Sequence, residues 1–285
     1  MRKKKTMKAL RDILIICATI CCLVSCKKAV DMTLMQKTVL ENADIRQIKV
    51  DDAWQVTLVA DSNTYVELQY SAYLEPYLKT KMDGTKLEIG FTSSVYPVIN
   101  SVFRAIVHTP RLEKLEASDA ARVQCEGVFN SQSQSIEIVL SDAAQCSGLS
   151  IYGTTCKVQM QEAALLTGFT HYGTVFNATL KDASQFNGQV LASELLDITL
   201  NDASRFVNKG TVTELSRLHL SNASLLNMAE TQSNRMEVEL TSGSEATVQV
   251  IDFLNGSIQE ASTLYYKGNP QIDIDCSEDS QLIPF

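Results

Sequence analysis

Leu180–Gly188 reads LKDASQFNG, Leu200–Phe206 reads LNDASRF and Met160–Gly168 reads MQEAALLTG. Successive copies lie twenty residues apart, and each carries an acidic residue directly before an alanine. A fixed period of this size is the mark of a solenoid, in which each copy is one unit that buries its apolar face on its neighbours. Anchoring on the small residue after the acidic one gives Ala120, Ala143, Ala163, Ala183, Ala203, Ala223, Gly243, Ala261 and a degenerate Asp279. The steps are 23, then 20 five times, then 18 twice.

Within each copy the positions seven, five and three residues before the anchor are apolar. Leu140, Leu180, Leu200, Leu220 and Leu240 stand at −3, and Ile138, Val158, Ile198 and Leu218 at −5. The interleaved −6 column runs Glu137, Lys157, Asn177, Asp197, Arg217 and Glu237. This period-2 alternation is that of a half-buried strand. The +3 column is apolar again, with Val123, Cys146, Leu166, Phe186, Phe206 and Leu226. Two inward-pointing segments around a bend, with no 3.6-residue pattern between copies, describe one coil of a β-helix. The fold class is therefore all-β, a single-domain β-helix or solenoid of about 20-residue coils over residues 111–285. Coils stacked at about 4.8 Å predict a rod roughly 40 Å long, with right-handed crossovers.

The acidic column could be a site or a corner. Asp and Asn tolerate a backbone with φ > 0 better than other residues with a side chain, because they bond the local backbone. Asp119, Asp142, Asp182, Asp202 and Asn222 thus read as corner residues, and Glu162, Glu260 and Glu278 fit that account least well. Ala183 reads as a small residue placed where bulk does not fit.

Ahead of the repeats, MRKKKTMKALRD is a basic segment and Ile13–Leu23 an apolar run of about eleven residues, shorter than the roughly 20 needed to span a bilayer. Residues 1–25 are expected to be an export signal. Leu23-Val24-Ser25-Cys26 resembles the lipobox of bacterial lipoproteins, which implies cleavage before Cys26 and acylation of that residue. Several acyl chains hold a domain stably on a membrane, where one is marginal. Residues 26–44 read as the lipidated cysteine and a tether. Residues 45–110 form an all-β region that caps or irregularly continues the solenoid, with Asp83-Gly84 as a hairpin turn. The expected location is the cell envelope, at the outer membrane.

Loss of residues 1–25 removes six of the 25 basic and one of the 33 acidic residues, leaving 19 against 32, a formal charge of −13. That balance argues against a nucleic-acid partner. Cys125, Cys146, Cys156 and Cys276 remain beyond Cys26, and three of them sit in apolar columns: Cys146 at +3, Cys156 at −7 beside Ile136 and Phe176, and Cys276 at −3. They are expected as free core thiols, with a Cys146–Cys156 bridge as the alternative. No cofactor is expected, and no Cys/His spacing suggests zinc.

The segment IKVDDAWQVTLVADSNTYVELQY (48–70), the MDGTKLEIGF hairpin (82–91), the repeated strand and turn, and the ending YYKGNPQIDIDCSEDSQL (265–282) together resemble one family. It is the family described as putative auto-transporter adhesin, head GIN domain, common in secreted and lipid-anchored proteins of Bacteroides-like bacteria. The resemblance covers nearly all of residues 45–285. It implies a β-helix-like fold and an adhesin role, and it brings no catalytic residues. The family favours Gly in the turn slot where this chain carries Asp, Glu, Asn or Ser.

Three functional classes follow. A calcium ladder along the acidic column lacks oxygens, since one carboxylate per coil falls short of the six to eight that Ca²⁺ takes. A carbohydrate-active enzyme of the polysaccharide lyase or hydrolase kind would use the outward Asp197, Arg217, His219 and Glu239, which also read as paired surface charges. The favoured class is a noncatalytic envelope module that binds a glycan or a protein partner through its β-helical surface, with a purely structural role as the remaining alternative. Among aromatics, Trp54, Tyr70, Tyr73 and Tyr77 could stack on sugars, though core packing is the better reading.

Overall fold

A left-handed backbone pair recurs along the chain. In the computed structural model, which describes residues 30–93, 95–131 and 135–285, the acidic-slot residue and the anchor after it both have φ between +51° and +70° at eight of the nine aligned corners. The degenerate Glu278–Asp279 corner lacks the pair. Asp52–Ala53 adds one corner that the alignment missed. Two consecutive φ > 0 residues make the centre of a type I′ turn. The closing bond is present in Ser184, whose N–H donates to the Lys181 carbonyl at 3.2 Å, and in Ala144, which donates to Ser141 at 2.9 Å.

This backbone turns the anchor N–H and the acidic-slot carbonyl toward neighbouring coils. Ala163 N–H donates to the Asp182 carbonyl at 2.8 Å, Ala183 to Asp202 at 2.9 Å and Ala203 to Asn222 at 2.9 Å. The corners thus form a hydrogen-bonded ladder of their own. The residue after the anchor points inward and is Ala or Ser. Ser184, Ser204 and Ser224 are buried, and their hydroxyls donate to the carbonyls of Lys181, Asn201 and Ser221 at 2.6–2.7 Å. The anchor alanine itself is exposed, so Ala183 is not small for want of space. Its backbone is what restricts it. Glu162 and Glu260 adopt the same left-handed conformation as the aspartates.

Between corners the apolar columns align as the repeat predicts. Leu180, Leu200, Leu220 and Leu240 are register partners in consecutive parallel strands, as are Ala178, Ile198, Leu218 and Val238. All eight are buried. On the next face Cys146, Leu166, Phe186, Phe206 and Leu226 form a second ladder, in which the Phe186 and Phe206 rings stack at 4.4 Å and 9°. The stacked parallel coils form a β-solenoid. Gly256 interrupts the −5 column because its φ is +131° and a Cβ there would collide with the Val238 carbonyl.

Residues 34–285 form one compact unit, and the hydrogen-bonding ladder crosses residue 110 without a break. Gln47–Val50 pairs in parallel with Lys114–Ala117, and Gln55–Ala60 with Arg122–Glu126. Residues 45–60 are therefore a coil of the solenoid. The chain then leaves the helical path to build outer strands and returns. Lys86–Phe91 and Leu78–Asp83 extend one face, while Phe103–Thr109 and Tyr65–Ser71 extend the other. Within the expected tether, Leu34–Val39 is a strand that pairs antiparallel to Tyr65–Ser71. Its residues are exposed or nearly so, which is why it shows no burial alternation. The outermost Leu78–Asp83 strand carries Lys79 and Lys81, charges that discourage edge-to-edge pairing.

Trp54 and Tyr70 lie in the core, Tyr73 is half-buried with its hydroxyl against Ser101 Oγ at 2.5 Å, and Tyr77 is exposed. Cys125, Cys146 and Cys156 are buried free thiols. Cys276 corrects the expectation that it belongs to the core: it is exposed, because the coil that carries it has no further coil stacked on it among the described residues. Cys26 and the export signal lie outside the described residues.

Candidate functional site

Two outward faces differ in chemistry. The first consists of the −6 and −4 columns. Here Lys114 bridges Glu116 and Glu137 at 2.8 and 2.9 Å, Lys157 reaches Glu137 at 3.4 Å, and Lys86 reaches Glu116 at 2.8 Å. The lysines hold the Glu137 carboxyl below the usual carboxylate range, and the hydrogen bonds that Lys114 donates to Glu116 and Glu137 raise its own pKa. Opposite charges in register on adjacent strands account for these pairs.

The four residues singled out from the sequence lie on this face. Asp197 and Arg217 are register partners on adjacent strands, and Arg217 Nε donates to Glu237 Oε2 at 2.8 Å. That bond raises the guanidinium further above its ordinary value. His219 Nδ1 lies 2.8 Å from Glu239 Oε2. The structure thus brings the four residues close together as lateral pairs, His219 with Glu239 and Arg217 with Glu237, flanked by Asp197. Each acid–base group is turned along the sheet toward its neighbour. At the corners, Asn222 Nδ2 donates to Asp202 Oδ1 at 2.9 Å and Ser242 Oγ to Glu260 Oε2 at 2.7 Å. Glu162 shares a hydrogen bond with Asp142, which raises the Glu162 carboxyl and lowers that of Asp142. Among the described residues no group of three or more His, Cys, Asp or Glu is arranged to hold a metal ion.

The second face is built from amides and hydroxyls. Its +2 row runs Gln69, Arg104, Gln55, Arg122, Gln145 across adjacent strands. The +4 row beside it includes Thr57, Gln124, Ser147 and Thr167. A groove of about 500 Å³ lies along these rows, with Glu67 at one margin and Ile106 and Leu165 among its lining. Sequence reasoning missed this groove. The available signal was the match of VDDAWQV (50–56) to ASDAARV (117–123), which places Gln55 and Arg122 at the same coil position.

Known proteins resemble this chain in the same terms. No curated protein is significantly similar in sequence. Among solved structures, a "putative lipid binding protein" of Parabacteroides distasonis superposes with a TM-score of 0.65 at 14% identity, covering 90% of this chain and 98% of that one. A "putative adhesin" of Parabacteroides merdae gives 0.61 at 12% identity, with 89% and 96% covered. A second "putative adhesin", from Parabacteroides distasonis, gives 0.58 at 17%, with 90% and 98% covered. Identities this low speak for a shared fold. The sequence profile of one family matches residues 44–270. The chain belongs to the family "Putative auto-transporter adhesin, head GIN domain".

Proposed function

We propose that the protein is a noncatalytic, lipid-anchored module of the cell envelope that adheres to a glycan or protein partner through the outer faces of its solenoid. Family membership supports the adhesin role. The observation that carries the noncatalytic reading is the lateral pairing on the charged face. Arg217 Nε and His219 Nδ1 are each turned along the sheet to a glutamate of the next coil, Glu237 and Glu239, instead of converging on a common point. Catalysis by a carboxylate pair or by an acid and a base requires such convergence. A rigid array of repeated polar rows suits instead an extended ligand held by many weak contacts.

Anchoring rests on Cys26, and the outer membrane is the proposed site. Two measurements test the proposal together. Intact cells are treated with protease and the purified chain is applied to a glycan array. Digestion without lysis, with selective glycan retention, is the expected result. Full protection on intact cells and no retained glycan or cell-surface protein would refute adhesion. Palmitate labelling of the wild type that persists in Cys26→Ala would refute the lipid anchor.

A further inference from the structure

We infer that the groove on the amide-rich face binds an acidic glycan, with Arg104 and Arg122 holding its carboxylate or sulfate groups. The inference rests on the adhesion reading above and assigns it a place and a ligand class.

The two arginines differ from the paired cations of the charged face. Lys86, Lys114, Lys157 and Arg217 each have a carboxylate partner. Among the described residues neither Arg104 nor Arg122 forms an ion pair, although the chain is rich in acid. Arg104 Nε donates to Gln55 Oε1 at 3.0 Å, which fixes the plane of its guanidinium and leaves the terminal nitrogens free of that contact. An arginine fork held in this way offers bidentate recognition of a planar or tetrahedral anion.

Spacing and lining favour a sugar polymer. Gln55 is the register partner of both arginines, so they stand two strands apart, about 10 Å at ordinary strand spacing. In an extended acidic glycan, acidic groups two sugars apart stand at a comparable interval. Between the charges, sugar hydroxyls both donate and accept hydrogen bonds, as do the amides of Gln55, Gln124 and Gln145 and the hydroxyl of Ser147. Leu165 and Ile106 offer small apolar surfaces for the C–H faces of a sugar ring. An acidic peptide would gain less here, because among the outward-facing lining residues only Ile106 and Leu165 are apolar, while seven carry amides or hydroxyls.

The acidic surface as a whole does not forbid this. At physiological ionic strength the screening length is about 8 Å. The corner carboxylate of Asp119 accepts from Ser118 Oγ at 2.9 Å and forms no ion pair with Arg122 among the described residues. Local charge therefore dominates in the groove. Glu67 at the margin sets one end to the run of anionic groups it accepts.

The test uses the full chain in detergent micelles and polygalacturonate, a linear polymer of uronic acid, with its fully methyl-esterified form as the uncharged counterpart. The wild type is expected to bind the acid form at least tenfold more tightly than the ester, with affinity falling as salt rises. Arg104→Gln with Arg122→Gln is expected to lose at least tenfold toward the acid form, while the charge-matched Lys157→Gln with Lys209→Gln keeps wild-type affinity. Because both arginines are exposed, an unchanged melting temperature serves as the folding check. Equal binding of acid and ester, or wild-type affinity in the double arginine variant, overturns the assignment. Polyglutamate bound as tightly as polygalacturonate, with the same arginine dependence, overturns the glycan class. If the double arginine variant still retains its array ligands and its adhesion, the groove is wrong and the adhesion reading stands.

Discussion

Replacing Ala183 by glycine should stabilise the protein, which reverses the usual effect of glycine in a β structure. Ala183 is exposed, and its φ of +59° places it in the left-handed region. An L-residue with a Cβ pays roughly 1–2 kcal/mol there. Glycine pays none of this, but its more flexible unfolded chain returns about 0.4–1 kcal/mol. The balance is a stabilisation of about 0.5–1 kcal/mol. For a chain of this size, 1 kcal/mol moves the melting temperature by roughly 2–4 °C. Since no side-chain contact is lost at an exposed methyl, the backbone alone sets the sign. The natural corner Ser242–Gly243 already carries glycine at this position, with φ +70°. Thermal and urea unfolding of Ala183→Gly are measured beside Ala192→Gly, a buried strand position where glycine should destabilise by at least the 0.5–1 kcal/mol of its backbone entropy. A loss of stability in Ala183→Gly equal to that of Ala192→Gly would refute the left-handed corner. Ala183→Val should destabilise, because a β-branched residue tolerates φ > 0 least.

His171 is fully buried, with Nε2 bonded to the Gly153 carbonyl at 2.9 Å and Nδ1 without a partner among the described residues. Burial lowers its pKa, so the unfolded chain takes up the proton first and stability falls as pH drops below about 6.5. His171→Phe should flatten that slope between pH 7 and 5, as read from urea midpoints. A thiol probe followed by peptide mapping should label Cys276 in the native protein and reach Cys125, Cys146 and Cys156 only on unfolding; the contact with Cys146, and then burial, raise the Cys125 thiol well above its ordinary value. Rapid native labelling of Cys146 would contradict the core ladder. Gly256→Ala should cost several kcal/mol or prevent folding, since the added Cβ meets the Val238 carbonyl in a left-handed backbone; a melting temperature within a degree or so of wild type would show the position to be relaxed.

The repeated coils could be read from the chain because two periodicities reinforce each other there. Alternation assigned Leu180 and Ile198 to the inside, and the twenty-residue step assigned Leu180, Leu200 and Leu220 to one ladder. The first coil escaped for a physical reason. Its corner, Asp52–Ala53, is followed by Trp54 where later coils carry Ala or Ser, and the chain detours through outer strands before the next corner at Asp119. Leu34–Val39 escaped because an edge strand with solvated side chains carries no burial pattern. A small anchor residue fits either a lack of space or a restricted backbone, and only the φ values separate the two. The groove was hidden for a related reason. Arg104, Gln55 and Arg122 become neighbours only when the detour threads Phe103–Thr109 beside the first coil. Asn208, which resembles a turn residue in Asn208-Lys209-Gly210, instead lies inside, accepting from Val190 N–H at 2.8 Å and donating to Thr231 Oγ1 at 3.1 Å.

The corner ladder also bears on how such a chain changes over generations. Because Ala183 donates to Asp202 in the same way that Ala203 donates to Asn222, the seam between one coil and the next repeats itself. Excision of residues 183–202 would join Asp182 to Ala203, recreate the same dipeptide and leave LKDASRF in place of two corners. Unequal recombination between such repeats, which shortens or lengthens a gene by one unit, would restore both the turn and its bond to the following coil. The reach of the rod is therefore a quantity that mutation can adjust in whole steps, without inventing a new interior.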